Sequence, residues 1–542
     1  MKNFYACLLS ILILCFCLNI AHAGASEIKQ PSVHGEYSIN GAIHRTGGAG
    51  NKTLLRRGDF LSNELKLKIE QPLQDDWNFL TNLRLRKTPD PKIDKRKDVH
   101  LLGWTTELYN PFLRFTGGDF YGDFSQYTLS QSLRGAQAAL KTDRIDGKLV
   151  AGYSQNADEG KSFRRYVFGG RSEFVLVKEQ GPAKDLRMGF NFSDNEDDHN
   201  SIDNSTGVPD ASNRVGSLTG HVLLWDKSDI DGEFARSWVN LDTTENSGVA
   251  HTIGSAFRLN SATKFNKQAK LRLGYESVSS GFNTLSGSAV PDKVNITSRF
   301  DYKFNQVWSL ETGYRINYDK LEDSSLTKRT TTQTPRVSLN WNPESENWLL
   351  KDYESRLFWE ERRRGSTDNN AGQIDYLSND YGFENDFKVR DVNFDSGWTI
   401  RTESDDLNKE NNVLANTGYI GMNMRKKFLG TTATPSLRYQ LDYENFPKEE
   451  GRDLTQTVSA GLNLEITDSL RFEQRYSIET ASRLAYDSDT LRLNAHLELD
   501  YKLPVKEDVT LKVRYDHIGL NHPSALNTFS EENLNTELLW KF

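Results

Sequence analysis

The sequence predicts an all-β protein: a transmembrane antiparallel up-and-down β-barrel of about 26 strands, within a range of 22–26, with no plug domain. Three observations predict it. An export signal opens the chain, no apolar run long enough for a membrane helix follows it, and long segments of strict period-two alternation recur up to the last residue.

The export signal is read over residues 1–23. Lys2 supplies the positive charge, "ACLLSILILCFCLNI" the apolar stretch and "AHA" at 21–23 the small-residue cleavage site. The three cysteines of the chain, Cys7, Cys15 and Cys17, all lie inside it. The mature chain is therefore expected to have no disulfide, no thiolate metal site and no covalently attached haem. Hydrophobic residues make up 36% of the sequence and charged ones 26%, too polar for a large soluble core. A formal net charge of −8, with both signs interspersed, leaves no basic footprint for nucleic acid.

Alternation then separates a barrel from a soluble sandwich. In "TLRLNAHLELDYKL" (490–503), Leu491, Leu493, Ala495, Leu497, Leu499 and Tyr501 alternate with Arg492, Asn494, His496, Glu498, Asp500 and Lys502. "VWSLETGYRINY" (307–318), "KLRLGYE" (270–276) and "WNFLTNLRLR" (77–86) repeat the pattern. These strands are longer than the usual five or six residues, and one face of each is charged. An apolar face toward lipid and a polar face toward a water-filled lumen satisfy both features. Twenty-six such segments fit between residues 33 and 542, about 20 residues per strand with its connection. Connections after even-numbered strands are mostly short and those after odd-numbered strands mostly longer. That places both termini on the periplasmic side. The expected organisation is a cleaved signal at 1–23, a short periplasmic segment at 24–32 and a single barrel domain at 33–542.

The last strand explains why so hydrophilic a chain ends on "NLNTELLWKF". Leu534, Leu538, Trp540 and Phe542 form its apolar face, with Thr536 a mild departure. This ending resembles that of Gram-negative outer-membrane β-barrel proteins, whose terminal strand is read by the barrel-assembly machinery. The resemblance implies location in the cell outer membrane, in contact with its lipid and lipopolysaccharide, and a porin-like architecture.

Candidate functional residues follow from the predicted faces. Arg84, Arg86, Lys270, Arg272, Arg315, Arg492, Asn494, His496, Glu498 and Asp500 are expected to line the lumen. His496 reads as pore-lining rather than catalytic, and neither a catalytic constellation nor a metal-ligand spacing is found. Asp197, Asp198 and His199 read as a solvated acidic tip rather than a cation site. The basic segment at 87–99 either binds lipopolysaccharide phosphates or is a plain charged loop. "FTGGDFYGDFSQYTL" (115–129), with Asp119, Phe120, Tyr121, Asp123 and Phe124, is either an outer loop that folds inward and narrows the lumen or a glycine-rich hairpin with interface aromatics.

About 26 strands enclose a hole wide enough to make an envelope leaky, and the charged inner face is expected not to close it by apolar packing. Only residues 24–32 precede the first strand, too few for a plug or a periplasmic domain. In strand number and missing domains the chain is similar to the large barrel sheath of porin–cytochrome complexes. That similarity implies a lumen-filling partner such as a periplasmic multihaem cytochrome, with haem carried only by that partner. A passive diffusion porin constricted by its own loops, an export pore for polysaccharide or protein and, last, a lipid-facing enzyme are the other readings.

Overall fold

The computed structural model describes residues 30–49, 57–74, 76–90, 98–158, 161–203, 209–243, 252–319, 329–343, 352–366, 374–407, 412–428, 430–446, 451–483, 484–487 excepted, and 488–505 and 508–542. The expected signal at 1–23, most of 24–32 and the centre of the basic segment 87–99 lie outside the described residues.

Every regular element among the described residues is a strand. The first seven are β1 (Ser32–Gly48), β2 (Gly58–Pro72), β3 (Asn78–Lys87), β4 (His100–Tyr109), β5 (Leu113–Ser125), β6 (Leu129–Lys141) and β7 (Ile145–Gln155). Then come β8 (Arg164–Gln180), β9 (Ala183–Asp198), β10 (Ser212–Leu224), β11 (Ser228–Asn240), β12 (Thr252–Lys264), β13 (Ala269–Val278) and β14 (Lys293–Lys303). The third group is β15 (Trp308–Asp319), β16 (Thr330–Trp341), β17 (Glu354–Ser366), β18 (Asp375–Val389), β19 (Val392–Asp405), β20 (Val413–Met424) and β21 (Lys426–Phe428). The last are β22 (Thr431–Phe446), β23 (Gly451–Thr467), β24 (Leu470–Arg483), β25 (Ser488–Lys502), β26 (Asp508–Asn521) and β27 (Phe529–Lys541).

Both β20 and β21 pair with β22, so they are two pieces of one stave and the wall has 26 staves. Each stave pairs antiparallel with its sequence neighbour, and β27 pairs with β1, which closes the barrel. Closure is required here: an open edge in lipid would leave a row of backbone groups without partners.

At the seam, Gly35 N–H donates to the Phe542 carbonyl (2.7 Å) and Phe542 N–H to the Gly35 carbonyl (3.0 Å). The terminal ring lies over Gly35, where a Cβ would come within 2.1 Å of it. The missing side chain of the first strand makes the notch that receives the last residue.

Alternation sets the two faces. On β25, Leu491 and Leu493 are exposed outward, and the same outward set carries Leu61, Leu149, Phe168 and Ile253, each more than half exposed. Large apolar side chains left open to this extent form the lipid-facing belt. Near the end that carries the termini, five rings run across β15–β19 in contact: Trp308, Trp341, Tyr353, Phe387 and Phe394, with centroids 5.1–6.0 Å apart. They form an aromatic girdle of the kind that marks a membrane–water boundary. The same end has the short connections, such as 181–182, 390–391 and 468–469; the connection 342–353 is a longer exception. The other end has the longer ones and faces the cell exterior by this asymmetry.

If these faces are assigned correctly, Leu493→Arg destabilises the barrel by about 2–4 kcal/mol at midplane, while Asn494→Arg, on the lumen side, costs much less. Urea titration of the two variants folded in detergent checks this; equal losses contradict the assignment.

Candidate functional site

The lumen wall is built from the polar residues of each alternating strand. Arg84 and Arg86 on β3 both bond Glu64 on β2, at 2.6 and 3.0 Å. Arg272 pairs with Asp301 (3.1 Å), and Glu498 with Arg514 (2.6 Å). Asp500 lies 3.9 Å from Lys512. Nε of Arg492 donates to Asn494 (3.2 Å), which donates to Ser477 (2.9 Å). His496 Nδ1 is 2.6 Å from Asp516, with Glu498 3.8 Å from its other nitrogen. These lumen candidates all stand on the face opposite the apolar belt, as do Lys270 and Arg315. Neighbouring staves thus neutralise one another pair by pair, because opposite charges facing each other across a ladder attract and like charges repel. Arg299 and Arg336 both share Glu311, and Arg438 bonds Asp395.

The segment 115–129 does fold inward, as a hairpin ribbon rather than a loop. The pairing of β4 with β5 stops at Gly118, and that of β6 with β7 stops at Arg134. Residues 119–133 therefore leave the wall while β5 and β6 stay paired with each other as far as Ser125 and Leu129. The departure is fixed by the backbone. Gly118 has φ +104°, and a Cβ there would meet the Trp104 carbonyl oxygen at 2.1 Å, so only glycine fits. Asp119 holds the hinge by accepting the Trp104 N–H (2.9 Å) and pairing with Arg134 across the ribbon.

The ribbon then packs on the inner wall. Phe124, Leu129 and Leu133 bury themselves against Val150 of β7 and Val167 of β8, with Phe120 at the margin. The tip residue Tyr127 is fully buried against Val215, Ala235, Ala256, Val278 and Phe282. Each such buried side chain contributes about 2 kcal/mol, so the ribbon is a fixed part of the wall. Tyr121 and Asp123 stay exposed, Tyr121 with its hydroxyl 2.8 Å from Ser130.

Polar groups complete the anchor. The Tyr127 hydroxyl and the Gln126 amide both donate to Glu276, each at 2.8 Å. Arg258 donates to Gln126 (2.7 Å) and Ser125 to the fully buried Glu233 (2.5 Å). Ser193 donates to the Thr128 carbonyl (3.0 Å).

A second segment, 279–292, also enters the lumen. Ser130 N–H donates to Ser286 O and Ser288 N–H to Gln126 O, both at 2.8 Å. Phe282 stands edge-on to Tyr127 with centroids 5.6 Å apart. Gly254 makes room for it, since a Cβ there would lie 1.9 Å from the Phe282 nitrogen.

The expectation that the inner face offers no apolar packing is thus corrected. Between β7 and β13 part of the wall presents small or apolar side chains inward, Val150, Val167, Val215, Ala235, Ala256 and Val278, and the ribbon and the second segment cover them. The sequence signal is the absence of charge in "SVSSGFNTLSGSAVP" (277–291) and at inward positions such as Asn195, Asn213, Val215 and Ser237. The acidic tip is internally paired: Asp197 binds Arg165 (2.8 Å) and His199 lies 3.0 Å from Asp210. The closing residues Leu534, Leu538, Trp540 and Phe542 lie on the lipid face of β27, beside β1.

No protein-family profile matches the chain, and no curated protein aligns with it. Solved structures do align. The outer membrane protein OprD from Pseudomonas aeruginosa is 10% identical, with 61% of this chain and 88% of that chain covered and a TM-score of 0.32. For the anion-selective porin from Comamonas acidovorans the values are 10%, 54%, 89% and 0.30. The ferric enterobactin receptor PfeA from Pseudomonas aeruginosa gives 10%, 95%, 81% and 0.41. The closed wall and its outward apolar belt themselves make this chain a membrane-spanning β-barrel of 26 staves.

Tyr127→Ala removes the buried tip ring, a truncation that costs about 3–5 kcal/mol at an aromatic core site. The ribbon of this variant becomes cleavable between Phe124 and Leu129 by protease added from outside, while the barrel stays intact. Resistance equal to that of the parent protein on a denaturing gel contradicts the anchoring role.

Proposed function

We propose that the chain is a passive diffusion pore narrowed along one side by its own inward-folded ribbon. The observation that carries this reading is the burial of Tyr127 on the lumen wall, which fixes the ribbon inside the barrel. Twenty-six staves spaced ~4.8 Å apart and tilted ~40° enclose a cylinder about 50 Å across, backbone to backbone. The ribbon and segment 279–292 take up space beside β7–β13. The wall from β14 through β27 to β3 keeps its charged rows, and water fills the space before it. Small polar solutes pass along that wall, with weak selectivity where acids and bases neutralise each other locally.

A second reading rests on the same uncovered wall: a partner protein, such as a periplasmic multihaem cytochrome, occupies the remaining lumen and the barrel is its sheath. The charged rows suit a polar protein surface as well as water. An export pore is the third use of such a lumen. None of these readings assigns the chain a catalytic role.

The purified protein, reconstituted alone in a planar bilayer, distinguishes them. The pore reading predicts steady single-channel conductance without added protein. Deleting 119–133, with the cut ends joined by a short Gly-Ser link, raises that conductance. A silent or unstable barrel that conducts no ions, together with a stoichiometric copurifying protein in mild detergent, overturns the pore reading in favour of the sheath.

A further inference from the structure

Most lumen arginines are matched by a carboxylate on a neighbouring stave, and three adjacent ones are not. Arg315 on β15 and Arg362 and Arg364 on β17 are exposed and make no ion pair among the described residues. Their strands flank β16, where Thr334 faces Arg315 and Thr332 faces Arg364. The nearby acids are largely engaged: Glu311 binds Arg299 and Arg336, and Asp319 binds Lys293. Glu360 lies one inward position along β17 from Arg362 without bonding it. Two strand spacings separate β15 from β17, about 10 Å, which two guanidinium arms span. Beside Arg362 and Arg364 lies a cavity of about 340 Å³ lined also by Lys293, Asn317, Tyr318, Thr330 and Thr332, with no carboxylate among the described residues that line it; Arg315 lies next to this lining, across β16 from Arg362.

We infer that this cluster is an anion-binding site on the lumen wall near the outer mouth, for solutes that carry a phosphate, sulfate or carboxylate group. Leaving several cations of one sign together is unfavourable unless an anion completes them, and a planar guanidinium fork matches the oxygens of an oxyanion. The threonine hydroxyls and the Asn317 amide add neutral donors around the same space. Entering anions meet this positive patch before the charge-balanced wall deeper in, so the site concentrates them at the mouth. The inference deepens the pore reading by giving its solutes a charge class, and it rests on that reading only for the transport step.

Two measurements on the full-length barrel in detergent or bilayer test it separately. Equilibrium dialysis with radiolabelled inorganic phosphate reads the site itself. The parent protein binds phosphate, and the R315Q/R362Q/R364Q variant binds at least about tenfold more weakly, the loss of about one charge-assisted contact. The R84Q variant, altered at a paired arginine, binds like the parent. Equal binding by the parent and the triple variant overturns the site. Reversal potentials in a KCl gradient read its consequence: preference for chloride over potassium in the parent, reduced in the triple variant. A barrel that binds phosphate but does not conduct removes the pore reading and leaves the site standing.

Discussion

Everything in this molecule depends on one constraint: in a bilayer each backbone N–H and C=O must find its partner within the protein. Twenty-six staves satisfy it only because the last strand returns to the first. The Gly35–Phe542 pair of hydrogen bonds ends that ladder, and the ring of Phe542 fills the notch that Gly35 leaves. Closure fixes the register of both seam strands, and register fixes which residues see lipid and which see the lumen. A slip of one residue at the seam would turn Asn535 and Glu537 of β27 toward lipid and Leu534 and Leu538 toward the lumen.

The same rule accounts for the inward ribbon. A hairpin that leaves the wall exposes two edges, and both must be paired or wetted. Its tip achieves this by meeting segment 279–292 through the Ser130–Ser286 and Gln126–Ser288 bonds and by taking Glu233, Glu276 and Ser193 as side-chain partners. Apolar contact supplies the binding energy, and the polar contacts set where the tip stops. The covered sector of the wall combines buried apolar side chains with a few charged anchors, Glu233, Arg258 and Glu276, while the uncovered sector carries mostly paired charges. The wall therefore has two kinds of surface, one built to hold a piece of its own chain and one built to face water or a polar guest.

Much of this was legible in the sequence. Period-two alternation located all 26 staves, including the one that the structure divides at Arg425, because lipid and water on opposite faces leave that period undisguised. The glycine-rich stretch 115–129 stood out for breaking the alternation. Its partner, 279–292, did not, because partnership between distant segments has no local period. Phe282 looks like a residue in an uncharged loop until Gly254 and Tyr127 are brought beside it. Pairing across staves, such as Arg299 and Arg336 sharing Glu311, likewise depends on register, which alternation alone leaves open. For the same reason Arg315 read only as one lumen arginine among several; its isolation with Arg362 and Arg364 appears once every other partner is placed.

The central claim, that the ribbon tip is fixed on the lumen wall, can be measured directly because cysteines occur only at positions 7, 15 and 17, within the segment expected to be an export signal. A chain carrying Gln126→Cys and Ser288→Cys would hold two thiols at positions joined by a 2.8 Å backbone hydrogen bond. Mild oxidation of the folded barrel should link them in high yield, seen as a mobility shift that a reductant reverses. No link, with both positions freely labelled by a membrane-impermeant thiol reagent from the cell exterior, would contradict the account.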